Sequence, residues 1–406
     1  MKKSIWFISK YASPPQSRGG QRGISLAKEF VRAGHRAAVI TSTSNHFAIF
    51  EKDQWVRIER GFSKASFDGV TMLAHATYAY RKTASAKRIL SWVHFEWGLL
   101  RLPTRHLPEP SHIIVSSLSL LSILNGYRLA RRFRAKLVFE VRDIWPLTLQ
   151  TESGLSHKNP LVTLLAAIES FGYRKSDLVV GTMPNLEEHV HSVSGTKPRV
   201  ETIPLGIDED LMRLVPQYVP PPHNQSPTIV GYSGSIGRTN SLDVLLDAAL
   251  KIGPDQNLEF HFWGGGDLVE SYRKEHRGQS HIFFHGHLER QKLFHEVHKA
   301  HLLLLATDDS VLWKYGQSLN KMVEYMMMGR PIIASYSGYP SMINEAGSGV
   351  FVEASDSTAL MQTLLDFGSL PRKELERLGR NGRKWVVSHR GYAQLSKEYL
   401  EILDSL

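Results

Sequence analysis

Short apolar runs alternate with amphipathic segments along the whole chain. In the first half, Ile5–Ser9 predicts a buried strand, Ile24–Ala33 predicts a helix that Gly34 ends, and Arg36–Thr41 predicts the next strand. This order is that of a right-handed βαβ unit. The alternation continues with predicted strands at Lys136–Val141, Leu178–Gly181 and Arg199–Ile203 and predicted helices at Leu161–Tyr173 and from Asn185.

The same alternation starts again after a proline-rich stretch, Val219–Pro222, which is the best candidate for a linker. The predicted elements that follow are a helix at Leu242–Ile252 and strands at Thr228–Tyr232, Glu259–Trp263, Ile282–Phe284 and Leu302–Ala306. Two successive arrays predict an α/β protein with two Rossmann-like, doubly wound domains. Such sheets bind ligands at the carboxyl ends of their strands, so we expect the active site in a central cleft that the two domains face.

The predicted boundaries are 1–205 for the N-terminal domain, 206–385 for the C-terminal domain and 386–406 for a last helix that packs back on the first domain. A chain of 406 residues is long enough for two such domains. Hydrophobic residues make up 42% and charged residues 22%, as in ordinary globular proteins.

The sequence contains no cysteine, which excludes disulfides and thiolate metal sites and is compatible with the cytoplasm. The apolar run near the N-terminus is too short for the core of a signal peptide, and no stretch approaches the eighteen or so apolar residues of a membrane span. We therefore expect a cytoplasmic protein.

The net charge of +10 is concentrated in the N-terminal half. The segment from Arg81 to Arg105 carries one acid, Glu96, and these basic residues: Arg81, Lys82, Lys87, Arg88, Arg101 and Arg105. Trp92, Trp97, Leu99 and Leu100 lie among them, and a second basic run spans Arg128–Lys136. Basic residues beside Trp and Leu are typical of a helix on an anionic membrane surface. A solvated basic face over core aromatics accounts for them equally well, whereas a nucleic-acid partner would require stacking aromatics or a groove-reading helix, neither of which is evident.

The segment Ser318–Ala334 carries the candidate chemistry. It predicts a short helix with a polar N-cap, a Gly-Arg-Pro stop and a buried strand. Lys321 falls in the first turn, where the helix dipole disfavours a cation unless an anion such as phosphate is bound there. Glu324 shares its helical face and suits the paired hydroxyls of a ribose, so the two residues together indicate a nucleotide. An ordinary helix with an intrahelical Lys–Glu pair is the alternative.

Eight short motifs in this order resemble those of the retaining GT-B glycosyltransferases of family 4. They are Gly19–Gly20, Asp143–Pro146, Ser176–Val180, Ile203–Asp208, Gly231–Gly234, Phe262–Gly266, Phe284–Gly286 and Asn320–Tyr325. The Val-Arg-Asp-x-Trp-Pro motif at 141–146 is similar to that of N-acetylfucosamine transferases, in the branch that makes bacterial surface polysaccharides such as O-antigen. The resemblance implies transfer of a sugar, with retention, from a nucleotide sugar to a polyprenyl-diphosphate-linked saccharide. It also implies a UDP-linked N-acetylated hexosamine or deoxyhexosamine as donor and an enzyme peripherally bound to the inner face of the cell membrane.

The resemblance also implies roles for particular residues. Gly19 and Gly20 would approach the donor phosphate; the alternative is a turn that simply requires glycine. The other implied donor contacts are Gly234, Ser235, Arg238, Gly265, His287, Leu288, Gly316, Gln317, Ser318, Leu319 and Asn320. The implied catalytic set is Lys321, Glu324, Asp143 and Arg142. The basic segment would contact acceptor and membrane through Lys87, Arg88, Trp92, Trp97 and Arg101.

Three positions depart from the family pattern. Gly316 stands where the first glutamate of the E-x7-E pair is expected, so the sugar contact would pass to Gly316–Ser318. Ser235 and Asn240 stand where many members carry Arg and Lys, which leaves Lys321, with help from Arg238, to neutralise the diphosphate. Arg142 replaces a histidine and could be a structural ion-pair partner instead of a catalytic group.

These residues predict catalysis without a metal or other cofactor, because a lysine and a helix terminus can stabilise a leaving diphosphate. Adjacent Asp308 and Asp309 are better interpreted as a loop than as a metal site. A GT-B epimerase or hydrolase acting on the donor alone is the alternative. An NAD-dependent enzyme is disfavoured, because Gly19–Gly23 is not G-x-G-x-x-G and the second strand ends without an acid.

Overall fold

The computed structural model describes residues 2–17, 19–44, 48–80, 86–207, 212, 213, 215, 227–237 and 240–406. The chain divides into two compact units, one of Met1–Gly206 with Tyr392–Leu406 and one of Ile207–Gly391. The linker predicted at Val219–Pro222 lies outside the described residues, as do Arg81, Lys82 and Arg238.

The first unit is built on a sheet of nine strands. They are β1 (Ser4–Ile8), β2 (Arg36–Ser42), β3 (Val56–Arg57), β4 (Phe62–Phe67), β5 (Val70–His75), β6 (His112–Ser116), β7 (Lys136–Val141), β8 (Leu178–Gly181) and β9 (Val200–Thr202). Their order is β3-β4-β5-β2-β1-β6-β7-β8-β9, with only the β3–β4 and β4–β5 pairs antiparallel. The order reverses between β1 and β6, which places a topological switch point beside the carboxyl end of β1.

Helices cover the sheet of the first unit. They are α1 (Arg22–Arg32), α2 (Ala86–Leu100), α3 (Ser122–Phe133), α4 (Leu147–Ser153), α5 (Pro160–Lys175) and α6 (Leu186–Ser194). The strands β1, β2 and β7 are almost wholly buried, because parallel strands covered on both faces need continuous apolar runs.

A buried ion pair joins α1 to the sheet of this unit. The Arg22 guanidinium lies 3.0 Å from the Glu140 carboxylate on β7 and also donates to the carbonyl oxygens of Ile203 and Pro204. Both charged side chains are almost completely buried. The pair therefore ties the first helix to the middle of the sheet and to the end of β9.

The second unit contains a six-stranded parallel sheet. Its strands are β10 (Thr228–Ser233), β11 (Leu258–Trp263), β12 (Ile282–Gly286), β13 (Leu302–Ala306), β14 (Ile332–Ser335) and β15 (Gly349–Val352), in the order β12-β11-β10-β13-β14-β15. The helices are α7 (Leu242–Ile252), α8 (Val269–Glu275), α9 (Arg290–Val297), α10 (Asn320–Met328), α11 (Ile343–Ala346), α12 (Ser357–Ser369) and α13 (Arg372–Arg390). Here the order reverses between β10 and β13.

The Gly-Arg-Pro stop after α10 has a clear local cause. Gly329 takes a left-handed conformation at φ 67°, as glycine commonly does at the end of a helix. Arg330 is buried and donates to the carbonyl oxygens of Ala300 and His298, 2.7 and 2.6 Å away. The guanidinium thus satisfies the end of α9 while the chain turns into β14.

The last helix, α14 (Tyr392–Asp404), follows α13 directly and belongs to the first unit. It packs on α1, where the Phe30 and Tyr399 rings meet edge to face at 5.9 Å, and Asp404 forms an ion pair with Lys3. The prediction of an α/β protein with two Rossmann-like parallel sheets is confirmed. None of the helices in the described part of the chain has the length and apolar character that crossing a bilayer requires.

Candidate active site

Loops at the carboxyl ends of β10, β11 and β12 lie against one another in the second unit. The Gly234 amide donates to the Trp263 carbonyl and the Gly264 amide to the Gly286 carbonyl, each at 2.9 Å. The Ile236 amide donates to the Gly265 carbonyl, also at 2.9 Å. These bonds bring the predicted residues Gly234 and Gly265 to one edge of the sheet, beside the switch point.

Gly234 also lies against Lys321. A Cβ atom added at Gly234 would fall 2.6 Å from Cε of Lys321, and the glycine has φ +152°. A larger residue here would displace the lysine, so glycine is required for this approach.

Lys321 lies in the first turn of α10, as predicted, but the cap of that helix differs from the prediction. The N-cap is Leu319, which has no side chain that could cap. The Leu319 amide is instead bonded by Oε1 of Gln317 at 3.2 Å. The predicted polar N-cap is therefore wrong, because the helix begins at Asn320, too far along the chain for Ser318 to be its cap.

The Lys321 ammonium is held by neutral groups. Nζ donates to the Tyr232 hydroxyl at 2.7 Å and to Oδ1 of Asn240 at 3.2 Å, and it lies 4.2 Å from the centre of the Tyr232 ring. Among the residues that the structure describes, no carboxylate forms an ion pair with it. Desolvation lowers the pKa of Lys321 to about 8, and the charge of Glu324 only partly opposes this shift.

Glu324, one turn further along α10, pairs with a different helix. Its carboxylate accepts from the Arg290 guanidinium of α9 at 3.0 Å. Burial raises the pKa of Glu324, while Arg290 and Lys321 oppose the rise. An intrahelical Lys321–Glu324 pair, the alternative interpretation of these residues, is not formed, and both side chains stay available on one face of the helix.

The loop before α10 contains buried polar atoms without partners. Gly316 has φ +94° and ends the short helical turn Val311–Tyr315. Nε2 of Gln317 and Oγ of Ser318 are both buried and lack a hydrogen bond. Such groups are rare in folded proteins and call for an explanation, of which a bound polar ligand is one.

The other predicted donor contacts differ in exposure. Ser235 is exposed, and its carbonyl oxygen accepts from the Tyr232 hydroxyl at 2.7 Å. His287 is exposed, whereas Leu288 packs against the core of the second unit. Arg238 lies outside the described residues.

In the first unit, the loop after β1 explains the need for Gly20. Its φ is +77°, and an added Cβ would lie 2.3 Å from the Tyr11 carbonyl oxygen. Its own carbonyl oxygen accepts from the Ser13 amide at 3.1 Å. Glycine is thus required for the turn itself, and contact of Gly19 and Gly20 with phosphate stays a prediction.

Arg142 and Asp143 follow β7, and Ser117 fixes their backbone. The amides of both residues donate to Oγ of Ser117, at 3.0 and 3.3 Å. Arg142 lines a small cavity with Gly20, Ser116 and other residues. Within the described ranges Arg142 forms no ion pair, and the acid two residues earlier on β7, Glu140, is bound to Arg22 instead.

The basic aromatic segment forms α2, and its side chains divide between two faces. The outer face exposes a stripe of large apolar side chains, each about half exposed: Ile89, Leu90, Val93, Trp97 and Leu100. Lys87 is exposed beside this stripe, and the Arg101 guanidinium lies 4.4 Å from the centre of the Trp97 ring.

The inner face of α2 corrects part of the predicted membrane surface. Leu99 is fully buried, and Trp92 turns inward to donate from Nε1 to the Tyr11 hydroxyl at 2.6 Å. Arg88 turns the same way, with Nε 3.4 Å from that hydroxyl. The placement of Leu99 and Trp92 at a headgroup boundary is therefore wrong, because a helix that packs on a sheet must bury one side.

Sequence reasoning missed three residues that shape the site. Tyr232 belongs to the Gly-Tyr-Ser-Gly motif, which could have drawn attention to it, yet its hydroxyl contact with Lys321 spans 89 residues. Tyr325 ends the Asn320–Tyr325 motif, whereas Arg290 carried no local signal. The Tyr325 hydroxyl bonds both backbone groups of Ser233, at 2.7 and 2.9 Å, and so fixes α10 to the end of β10.

Two family models match the chain. The model described as "Glycosyl transferase 4-like domain" matches residues 21–206, and the one described as "Glycosyl transferases group 1" matches residues 227–368. Together they account for most of the sequence. No curated protein matches the sequence.

Solved structures share the fold at low identity. Sucrose-phosphate synthase from Thermosynechococcus elongatus superposes with a TM-score of 0.73 at 17% identity, covering 100% of this chain and 99% of that one. HepE from Anabaena, in complex with UDP and glucose, gives 0.62 at 13% identity with both chains fully covered. The lipopolysaccharide outer core galactosyltransferase WaaB gives 0.60 at 13% identity, covering 99% of this chain and 100% of that one.

Proposed function

We propose that this chain, which belongs to the GT-B glycosyltransferases, transfers a sugar with retention from a UDP-linked donor to a polyprenyl-diphosphate-linked saccharide. The donor sugar would be an N-acetylated hexosamine or deoxyhexosamine, and the product a surface polysaccharide such as O-antigen. The enzyme would act at the cytoplasmic face of the cell membrane.

Lys321 is the observation that carries the proposal for the donor. Its ammonium is largely buried, is held by the neutral Tyr232 and Asn240, and lies in the first turn of a helix at the carboxyl edge of a parallel sheet. A cation at this end of a helix opposes the helix dipole, and a bound phosphate relieves both this conflict and the loss of hydration. The leaving diphosphate of a nucleotide sugar supplies that anion.

Glu324 supports the nucleotide part of the proposal. Its carboxylate lies one turn beyond Lys321 on the same helix face, and Arg290 holds one of its oxygens. A carboxylate has enough acceptor sites to take two ribose hydroxyls in addition to one guanidinium N–H. HepE was solved with UDP, which agrees with a uridine nucleotide here.

The mechanism follows from where negative charge develops. As the bond between the sugar and the diphosphate breaks, Lys321 and the free amides at the start of α10 stabilise the departing charge. The acceptor oxygen enters on the face that the diphosphate leaves and passes its proton to the donor phosphate. Gly19 and Gly20 are carried over as phosphate contacts, and Asp143 and Arg142 as further catalytic candidates. The unpartnered Gln317 and Ser318 atoms would take the sugar contact that the glutamate absent at Gly316 makes elsewhere.

A thermal-shift panel of nucleotide sugars tests the donor. UDP-linked N-acetylated sugars should raise the unfolding temperature, since a ligand at 100 times its Kd adds about 2.7 kcal/mol of stability. ADP- and GDP-linked sugars serve as matched controls. Equal shifts with all nucleotides, or none with any, would contradict the assignment.

The outer face of α2 supports a lipid-linked acceptor. Five large apolar side chains, one of them a tryptophan, and flanking basic residues on one helix face suit the boundary between headgroups and acyl chains. Each basic residue near an anionic membrane contributes about 1 kcal/mol. Lys87, Arg101 and the apolar stripe are therefore the proposed membrane contacts, whereas Arg88 and Trp92 face the protein interior.

Co-sedimentation with liposomes tests this surface. The parent protein should sediment with anionic vesicles at low salt, and Leu90→Glu/Val93→Glu should abolish the binding, while Lys87→Glu/Arg101→Glu should weaken it strongly. Val387→Glu, at an exposed apolar residue of the second unit, is the control. Equal binding by the parent and the stripe variants, or none by either, would contradict a membrane-binding role for the outer face of α2.

Neither family model favours the alternative of an epimerase or hydrolase. Such an enzyme would need no acceptor, so it should release free sugar or an isomer when a nucleotide sugar is supplied alone. Turnover that requires a lipid-linked saccharide distinguishes a transferase from it.

A further inference from the structure

Lys10, at the carboxyl end of β1, is a buried cation that the proposed donor chemistry does not use. Its side chain has no exposed surface. Nζ donates to the carbonyl oxygen of Ser44 at 3.1 Å and lies 4.8 Å from the centre of the Tyr11 ring and 5.5 Å from that of Tyr80. In the described part of the chain, no carboxylate forms an ion pair with Lys10. A buried charge normally has such a partner, so its absence calls for an explanation, of which a bound anion is one.

A second cation lies close by on the inner face of α2. Arg88 points Nε at the Tyr11 hydroxyl, 3.4 Å away, and its guanidinium lies 5.1 Å from the centre of the Trp92 ring. Its positive charge contributes to lowering the pKa of Lys10, second only to burial. Lys10 and Arg88 thus bring two positive charges to the same tyrosine, Tyr11, which favours the binding of an anion there.

Glu96 is the acid nearest in sequence to this pair, yet it does not neutralise it. Its carboxylate is bonded by Ser119, Ser122 and Asn125, at 3.3, 2.5 and 2.8 Å. Burial raises the pKa of Glu96 to about 7, so a large fraction is uncharged at neutral pH. Lys10 thus faces Tyr11, Tyr80, Arg88 and a Glu96 that is only partly ionised.

We propose that Lys10, Arg88 and Tyr11 form a second anion site, which receives the diphosphate of the lipid-linked acceptor. Arg88 is half-buried and supplies the contact, the Tyr11 hydroxyl accepts from Arg88 and positions it, and Lys10 supplies positive charge beneath them. The acceptor role rests on the proposed function.

The position of α2 favours the acceptor diphosphate over that of the donor. The same helix carries the apolar stripe on its outer face and Arg88 on its inner face. A prenyl chain that leaves the bilayer at the stripe would bring its diphosphate to this helix. The donor diphosphate already has Lys321, which belongs to the other unit.

Calorimetric titration of the full-length protein with farnesyl diphosphate, in the presence of saturating UDP, tests the site. Lys10→Gln and Arg88→Gln should each weaken farnesyl diphosphate binding by about tenfold or more, the loss expected for a hydrogen-bonded charge. The Kd for UDP, titrated separately, should change less than about twofold. Arg36→Gln removes the same charge at the opposite end of the sheet and should change neither value.

Glu96→Gln is a variant that should change the affinity for farnesyl diphosphate in the opposite direction. At pH 8 the parent carboxyl is mostly ionised, so removing its charge should tighten farnesyl diphosphate binding several-fold. Circular dichroism checks that each variant folds, and Arg88→Gln decides the question if the buried Lys10→Gln does not fold.

The outcomes separate this site from the proposed donor chemistry. Unchanged farnesyl diphosphate binding in Arg88→Gln overturns the site, and a parallel loss of UDP binding assigns it to the donor instead and overturns the acceptor role. If the parent fails to bind UDP, the proposed function fails, while a loss of inorganic pyrophosphate binding in Arg88→Gln but not in Lys321→Met still tests the anion site at Lys10.

Discussion

Replacing Lys321 by methionine should abolish sugar transfer and, at the same time, stabilise the protein without ligand. Desolvation lowers the pKa of this ammonium from 10.5 to about 8, a difference of 2.5. At about 1.36 kcal/mol for each unit, keeping the charge in the folded protein at pH 7 costs about 3 kcal/mol. The contact of the ammonium with the Tyr232 ring and hydroxyl offsets about 1–2 kcal/mol of this cost. The net gain expected for Lys321→Met is therefore about 1–2 kcal/mol.

The stability difference between Lys321→Met and the parent should depend on pH. Between pH 8 and 10.5 the unfolded parent binds more protons at this lysine than the folded parent, so the stability of the parent rises with pH in that window. Methionine cannot titrate. The advantage of the variant should therefore be largest below pH 8 and should disappear as the pH approaches 10.5.

Thermal unfolding at pH 7 and at pH 9.5, with and without UDP, measures both effects. For a unit of this size the melting temperature of the variant should rise by roughly 2–4 °C per kcal/mol at pH 7, without UDP. UDP should raise it in the parent but hardly in the variant. Lys373→Met, at an exposed lysine in the first turn of α13, is the matched control and should change neither activity nor stability. A near-wild-type transfer rate in Lys321→Met, or a destabilised fold, would refute the assignment of this residue to the leaving diphosphate.

Three further predictions follow from the same geometry. Glu324→Gln should weaken UDP binding about tenfold by calorimetry without lowering the melting temperature appreciably, because it preserves shape and removes the charged acceptor; UDP binding equal to that of the parent would contradict a ribose contact. Transfer should persist in excess EDTA, and kcat/KM for the donor should decline as the pH rises through about 8, where Lys321 of the free enzyme loses its proton; strict dependence on Mg²⁺ or Mn²⁺ would contradict a lysine in place of a metal. Arg22→Met should destabilise the first unit by about 3–5 kcal/mol in denaturant unfolding, because Glu140 would stay buried without its partner; adding Glu140→Leu should restore much of the loss.

The alternation of apolar runs was sufficient to predict two α/β units and most of their parallel strands, but not the strands β3–β6. The strands Lys136–Val141, Leu178–Gly181 and Leu302–Ala306 and the helix Leu242–Ile252 have the bounds that the sequence predicts. A strand buried on both faces must be apolar throughout, so its ends coincide with the ends of the run. The polar N-cap predicted for α10 is wrong because Leu319 takes that position, and the Gln317 side chain accepts from the Leu319 amide from outside the helix.

The partners of the site residues could not be predicted in this way. Lys321 and Glu324 have the spacing of an intrahelical pair, but Tyr232, Asn240 and Arg290 come from distant positions and compete successfully for them. The sequence of α2 likewise shows that tryptophans lie among basic residues but not how the helix is rotated. The structure settles this point for Trp92, whose indole reaches Tyr11 across 81 positions, and for Trp97, which faces outward.

Lys10 and Lys321 give the two units a common feature. Each ammonium lies near the carboxyl edge of a parallel sheet, each has a pKa lowered to about 8, mainly by desolvation, and each is held by neutral oxygens and aromatic rings instead of a carboxylate. A structural role would favour an ion pair such as Arg22–Glu140, in which the acid offsets the loss of hydration. Folded proteins retain buried charges without an ion-pair partner mainly where a bound ligand supplies the opposite charge. A transferase that moves a sugar from a nucleotide diphosphate to a saccharide on a lipid diphosphate needs two such positions. A bound anion should raise the pKa of each lysine back toward the ordinary value. Lysine side-chain NMR titrations with UDP and with farnesyl diphosphate should therefore shift Lys321 and Lys10 selectively, each with its own ligand.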